Sequence, residues 1–227
     1  MAAVAQMHTV QAANAARLRV SEIFYSLQGE TRTVGWPTVF VRLTGCPLRC
    51  EYCDTEYAFS GGRWMELDGI AAEVTAYGAR HVTVTGGEPL AQKNCLKLLV
   101  RLCDVGYEVS LETSGAIDIQ DVDPRVIKVV DLKTPGSGEV DKNRYENMDH
   151  LGRADQVKFV ICDRVDYEWA SNVLERYQLA RRCEVLFSPS HKQLAAGLLA
   201  DWVLADRLPV RLQIQLHKYL WGDVPGR

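Results

Sequence analysis

Three cysteines, Cys46, Cys50 and Cys53, stand together in the run Gly45-Cys-Pro-Leu-Arg-Cys-Glu-Tyr-Cys-Asp-Thr. This C-x3-C-x2-C spacing puts three thiolates on one short loop, a donor set for an iron-sulfur cluster. A cubane [4Fe-4S] cluster has four corner irons, so three protein sulfurs leave one iron open to a small molecule. Structural zinc instead wants four Cys or His ligands, usually as two separated pairs, and no second C-x-x-C or H-x3-5-H pair occurs in the chain. A disulfide framework suits short secreted proteins, whereas here an odd number of cysteines, seven, is spread over 227 residues behind no signal-peptide pattern. The chain reads as reduced and cytoplasmic. Cys95, Cys103, Cys162 and Cys183 sit in largely apolar or helical patterns and read as small core residues.

Composition narrows the partners. With 26 basic and 29 acidic residues the formal charge is −3, which calls for neither nucleic acid nor an anionic membrane. No apolar run approaches the roughly 20 residues that cross a bilayer. The Ala-rich start lacks a signal-peptide heart, so residues 1–17 are expected to be a flexible N-terminal extension and 18–227 a single domain.

Strand-like and helix-like segments then alternate. Strands are predicted at Val39–Leu43, His81–Thr85, Glu108–Thr113, Val126–Lys133, Val157–Cys162, Glu184–Phe187 and Val210–Leu216, with Leu18–Gln28 a further pairing candidate. Helical spacing joins Leu67, Ile70, Ala71, Val74 and Tyr77, then Leu96, Leu99, Val100 and Cys103, then Tyr167, Ala170, Leu174 and Tyr177, and covers Leu194–Leu204. The alternation predicts an α/β fold, a small incomplete parallel (β/α) barrel with too few units for eight-fold closure. Asp54–Glu66 is expected to be a short polar connection, and Lys133–Arg153 a long irregular segment, either a lid or binding loop or a solvated surface loop. In the last predicted strand Arg211, Gln213, Gln215 and His217 share one face, facing either a site or solvent.

Ligands gather at the carboxyl ends of parallel strands. The chain's polar clusters fall there: Thr85-Gly86-Gly87, Glu112-Thr-Ser-Gly115, Asp131-Leu-Lys133, Ser188-Pro-Ser-His191 and Gln215-Leu-His217. Gly86 and Gly87 let backbone approach a ligand, and Glu88 is a candidate for recognising an ammonium.

The cysteine spacing and Thr83-Val-Thr-Gly-Gly-Glu-Pro89 together resemble the radical S-adenosylmethionine (SAM) superfamily. Within it, the runs Phe24-Tyr-Ser-Leu-Gln-Gly-Glu30, Phe40–Cys46, Cys53-Asp-Thr55, Glu112–Gly115 and Gln215-Leu-His-Lys-Tyr219 are similar to the 7-carboxy-7-deazaguanine synthase family of deazapurine and queuosine biosynthesis. The resemblance implies conversion of 6-carboxy-5,6,7,8-tetrahydropterin to 7-carboxy-7-deazaguanine with loss of ammonia. In that chemistry reduced SAM yields a deoxyadenosyl radical that borrows and returns a substrate hydrogen. It also implies a [4Fe-4S] cluster on Cys46, Cys50 and Cys53, SAM as cofactor, Mg²⁺ on Thr55, a donor such as flavodoxin or ferredoxin, and a homodimer.

By the same resemblance Leu27, Gln28, Gly29, Arg42, Thr85 and His217 bind the pterin, with Arg42 facing its carboxylate. Glu30 and His217 are the catalytic candidates. Gly87, Glu112, Ser114, Asp131, Leu132, Lys133, Ser188, Pro189, Ser190 and His191 are assigned to SAM. Residue chemistry is compatible: Arg presents a planar fork to a carboxylate, and Gln offers donor and acceptor to a pterin edge. Asp54 either supports the cation or caps a turn. Two rival readings remain at this point. One is a radical SAM activase acting on a partner protein; the other is a metal-binding module needing only the cysteines.

Overall fold

The computed structural model describes residues 16–224 and 226. Most of the expected N-terminal extension lies outside them, but Ala16 and Arg17 belong to the fold: Arg17 pairs with Glu66, and the Leu67 N–H donates to the Ala16 carbonyl.

One nine-stranded sheet holds the molecule together. Its strands are β1 (Arg17–Leu27), β2 (Pro37–Leu43), β3 (Arg63–Glu66), β4 (His81–Gly86), β5 (Glu108–Thr113), β6 (Ile127–Leu132), β7 (Gln156–Ile161), β8 (Glu184–Pro189) and β9 (Arg211–Leu212). The order is β3-β1-β2-β4-β5-β6-β7-β8-β9; β1 runs antiparallel to both neighbours, and every later pair is parallel. The helices are α1 (Leu67–Ala76), α2 (Cys95–Val105), α3 (Arg164–Arg176), α4 (Leu179–Arg182), α5 (Ala196–Ala205) and α6 (Leu216–Trp221).

Period-two alternation sorts each parallel strand into two faces. Val82 and Val84, Val109 and Leu111, Val130 and Leu132, and Val157, Phe159 and Ile161 join the apolar core with the inner faces of the longer helices. The opposite phase, Thr85, Glu112, Asp131 and Lys158, lines an interior cavity. At about 25 cal/mol per Å² of apolar surface, that core rather than the polar interior carries most of the folding free energy.

The sheet curls without closing. Residues just after β1 meet strands at the far end of the order: Leu216 N–H and Gln213 Nε2 both donate to the Gly29 carbonyl, and Lys158 pairs with Glu30. The loop after β1 thus plugs the gap of an incomplete (β/α) barrel.

Three expectations are corrected. The strand predicted over Val210–Leu216 pairs with β8 only at Arg211 and Leu212. Buried Gln213 still donates its N–H to the Phe187 carbonyl of β8, but its side chain and the Leu216 N–H turn to the Gly29 carbonyl, so the chain leaves the sheet and His217 sits on α6. The Asp54–Glu66 connection contains β3, an edge strand held by β1. Lys133–Arg153 is more regular than the irregular segment expected. It carries 3-10 turns at Pro135–Ser137, Val140–Lys142 and Tyr145–His150, and is pinned by Asn143 to both backbone groups of Lys133 at 2.8 Å and by Asn147 to Gly115, Ile117 and Ile119.

Candidate active site

A cavity of about 610 Å³ opens at the carboxyl ends of the strands, well within the range of small-molecule sites. Every site residue expected from the sequence lines it except Leu132 and Glu88. Leu132 has the strand phase of the core, so its side chain is buried beneath the site while Asp131 and Lys133 face inward.

The cysteine loop forms one wall. Cys53 N–H closes on the Cys50 carbonyl at 3.1 Å, and Arg49 Nη1 donates to the Cys46 and Leu48 carbonyls at 2.8 and 2.6 Å. The long segment after β6 braces the loop from behind, with Glu51 N–H on the Ser137 carbonyl and Arg49 N–H on Glu139. Burial pushes all three thiols up, Cys50 to about 11, while Lys133 pulls each of them down. Bound iron would therefore be what displaces the protons. Among the described residues no three His, Cys, Asp or Glu side chains gather around one ion position. In a cluster the thiolates each take a separate iron, so three sulfurs on one loop need not converge on a single ion position.

The glycines of the Gly-Gly-Glu-Pro run make their close approach to the protein itself. A Cβ on Gly87 would stand 2.7 Å from Cys46 Cβ, and the Gly87 and Glu88 N–H groups donate to the Leu43 and Gly45 carbonyls. Glu88 is fully buried and does not await an ammonium. Its carboxylate accepts from Leu90 N–H, Thr113 Oγ1 and the N–H and Oγ of Ser114 at 2.5–3.0 Å. Ser114 thus enters the site with its hydroxyl already engaged, as does Ser190, whose Oγ donates to Gln193.

Facing the cofactor wall is a charged constellation. Glu30 Oε2 receives Lys158 Nζ at 2.5 Å, and Glu30 Oε1 receives Gln215 Nε2 at 2.8 Å with His217 Nε2 at 3.9 Å. Burial would raise the Glu30 carboxyl, but Lys158, aided by His217, outweighs both burial and Asp54 and brings it down to about 2. His217 is pushed below its ordinary value by burial, against the pull of Glu30, so its ring is neutral at neutral pH. Burial and the neighbouring Glu30 push Glu112 up.

Gln28 lines the site with its amide engaged by neighbouring protein groups. Its Nε2 donates to Thr83 and Glu112 at 3.1 and 3.2 Å, and its Oε1 accepts the Glu30 N–H at 3.0 Å. Three of its four hydrogen-bonding positions are thus taken within the protein, which orients Glu30 and Glu112. Glu112, assigned to SAM by the resemblance, accepts from Gln28 and from Thr85 at 3.0 Å, two residues that the same resemblance assigns to the pterin.

Arg42 Nε bonds Glu22 at 2.7 Å, and its guanidinium lies 5.6 Å from the Phe24 ring and 5.8 Å from the Tyr57 ring; Phe24 itself stacks on Phe40 at 4.9 Å. Thr55 Oγ1 donates to Asp54 at 2.9 Å, while the other Asp54 oxygen holds Lys218 at 2.6 Å. These two residues offer too few hard oxygens for Mg²⁺ alone, and fit it only if a ligand and water complete the shell.

Sequence reasoning missed Lys158, Glu22, Tyr57 and Lys218. Lys158 carried a signal: a lysine interrupting the apolar run Val157–Ile161 in the inward phase. Glu22 and Tyr57 carried none, since only the β1–β2 register brings Glu22 beside Arg42.

Comparison with known proteins agrees with this geometry. Residues 40–131 match the radical SAM superfamily. The 7-carboxy-7-deazaguanine synthase of Chlorobaculum tepidum is 46% identical over 91% of this chain and 96% of its own, and that of Koribacter versatilis 44% over 90% and 97%. This chain belongs to the 7-carboxy-7-deazaguanine synthase family. The fold has the same kinship: the crystal structure of QueE from Escherichia coli superposes with a TM-score of 0.72 at 23% identity, covering 88% of this chain and 94% of that one. As a member of this radical SAM family, the synthase homologue described here belongs with enzymes built around a [4Fe-4S] cluster and SAM. Its three-cysteine wall fits that pair. Among its described residues no helix is long and apolar enough to cross a membrane.

Proposed function

We infer that this chain is a radical SAM lyase that contracts the ring of 6-carboxy-5,6,7,8-tetrahydropterin to 7-carboxy-7-deazaguanine, releasing ammonia, as its relatives' name states for their product. The observation that carries the reading is one cavity lined both by the three cysteines and by Arg42, Glu30 and His217. When bound, the cluster and SAM supply the one-electron chemistry, abstraction of a hydrogen atom and its return.

The chain's own residues do the rest. Arg42, stiffened by Glu22 and two aromatic rings, offers its fork to the substrate carboxylate. Glu30 stays ionised across the working pH range and holds an N–H edge of the pterin. His217, neutral and beside it, takes and returns a proton at Nε2 during loss of the amine. Gly29 is required because a Cβ there would run into His217 Nδ1. Asp131 Oδ1, buried with no partner among the described residues, is an acceptor available to SAM, alongside Gly87, Ser114, Lys133 and Ser188–His191. Thr55 and Asp54 hold Mg²⁺ jointly with the substrate. A flavodoxin or ferredoxin supplies the electron, the chain from Ala16 onward acts as one domain, and the enzyme works as a homodimer; for the donor and the dimer the family resemblance is the support.

Anaerobic reconstitution followed by incubation with SAM, dithionite and 6-carboxytetrahydropterin tests the reading. The expected product is 7-carboxy-7-deazaguanine, identified by mass and absorbance. Reductive cleavage of SAM with the pterin left intact would overturn it.

A further inference from the structure

Lys158 reaches the site from β7 with its ammonium largely shielded from solvent, 13% exposed. It touches carboxylates from two separate parts of the chain. One is Glu30, at 2.5 Å, on the loop that plugs the barrel; the other is Asp131, at 3.7 Å, at the end of β6, whose Oδ2 also holds Lys133 at 3.1 Å. The two carboxylates are left unequal. Glu30 keeps Oε1 for Gln215 and the neighbourhood of His217, while Asp131 keeps Oδ1 buried and unpartnered.

We propose that Lys158 is a positioning residue, which clamps the pterin-side carboxylate of Glu30 against the cofactor-side strand end at Asp131 and so fixes the separation of the two bound molecules. The inference rests on the functional reading above. Hydrogen-atom transfer needs its two carbons nearly in contact, and small misplacements cost large factors in rate. The plug loop reaches the parallel strands here through Gly29 and Glu30, and covalent connection does not hold it there, since β1 and β7 are five places apart in the sheet. An ammonium with three donors suits a clamp between carboxylates on different elements. Burial opposes its charge, but Glu30 and Asp131 together hold it well above the ordinary lysine range, so the clamp is charged whenever the enzyme works.

The test measures the dissociation constant of 6-carboxytetrahydropterin on reconstituted protein with SAM present and reductant omitted, so that binding is read without turnover. Lys158→Met is expected to weaken binding at least tenfold and to lower kcat further. Lys158→Arg, which keeps the charge, is expected to recover most of the affinity. In a Glu30→Gln background, Lys158→Met should add less than half of its single-variant effect, as expected when one residue acts through another. Unchanged affinity in a folded Lys158→Met protein overturns the inference. So does full additivity with Glu30→Gln, or an Arg variant no better than Met. If Lys158→Met does not fold, the Arg variant and the Glu30→Gln/Lys158→Arg double variant decide on the same criteria. Wild-type protein that binds no pterin removes the functional reading itself, an outcome distinct from a wild type that binds while Lys158→Met binds equally well.

Discussion

The chain contains two Gly-Glu pairs in its site, Gly87-Glu88 and Gly29-Glu30, and they do opposite work. Both glycines sit where a side chain has no room, against the cysteine loop in one case and His217 in the other. The glutamates diverge. Glu88 is surrounded by neutral donors from its own turn and from β5, and nothing of it is left over for a ligand. Glu30 is held by an ammonium, an amide and an imidazole from β7 and the C-terminal segment, and its carboxylate lines the cavity. A carboxylate satisfied by local neutral donors acts as a peg; one balanced by distant charges stays available for chemistry.

The largest expected effect lies outside the pair. Cys50→Ser removes a cluster ligand, so iron and sulfide content should collapse and turnover fall by at least about 1,000-fold, comparable with loss of a principal catalytic group. A variant that keeps both would break the cluster assignment on which the cofactor wall rests.

The contrast between the glutamates comes next. Glu30→Gln should lower kcat/KM by roughly 100-fold per folded molecule. Glu88→Gln should act mainly on stability, because its amide would point donors at donors. A cost of about 1–3 kcal/mol corresponds to a fall of roughly 3–10 °C in Tm. Calorimetry and steady-state kinetics on both variants decide the matter; an exchange of these phenotypes would invert the comparison. Arg42→Ala should weaken pterin binding about 10- to 100-fold while cluster content is unchanged.

The pH response separates the same groups. Glu30 is depressed from 4.5 to about 2, so its contribution to stability is fully present above about pH 4.5 and is lost as pH falls toward 2. It gives no limb near neutrality. His217 is lowered from 6.5, so the unfolded chain binds that proton more readily and stability declines as pH falls below 6.5. An acid limb in pterin conversion below pH 6.5 is therefore expected, and it should vanish in the residual activity of His217→Asn. The smallest effect belongs to Lys192→Ala: its ion pair with Asp223 is exposed on both sides, and Tm should move by no more than about 2 °C.

Much of this was legible in the residues. The alternation of Val, Leu and Ile with helical stretches located seven of the nine strands and four of the six helices, because period 2 and period 3.6 are local properties. It erred at Val210–Leu216, where the alternation is real but the chain leaves β8 after the Gln213 N–H and crosses to Gly29. It passed over β3, a four-residue edge with no apolar alternation, which exists because β1 runs long enough to hold it.

The cysteine spacing and the order of the strand ends determined the cofactor class and the rim on which the site would lie, since both follow from short stretches of chain. Which way each side chain spends its hydrogen bonds was decided in three dimensions. Gln28 faces inward to Glu112, Glu88 is sealed beneath Ser114, Leu132 sits on the core phase, and Lys158 spans two elements that the sequence separates by 128 and 27 positions. A polar atom in a low-dielectric interior takes whichever partner packing brings within about 3 Å, and that partner is set by the curl of the sheet rather than by any local run of residues.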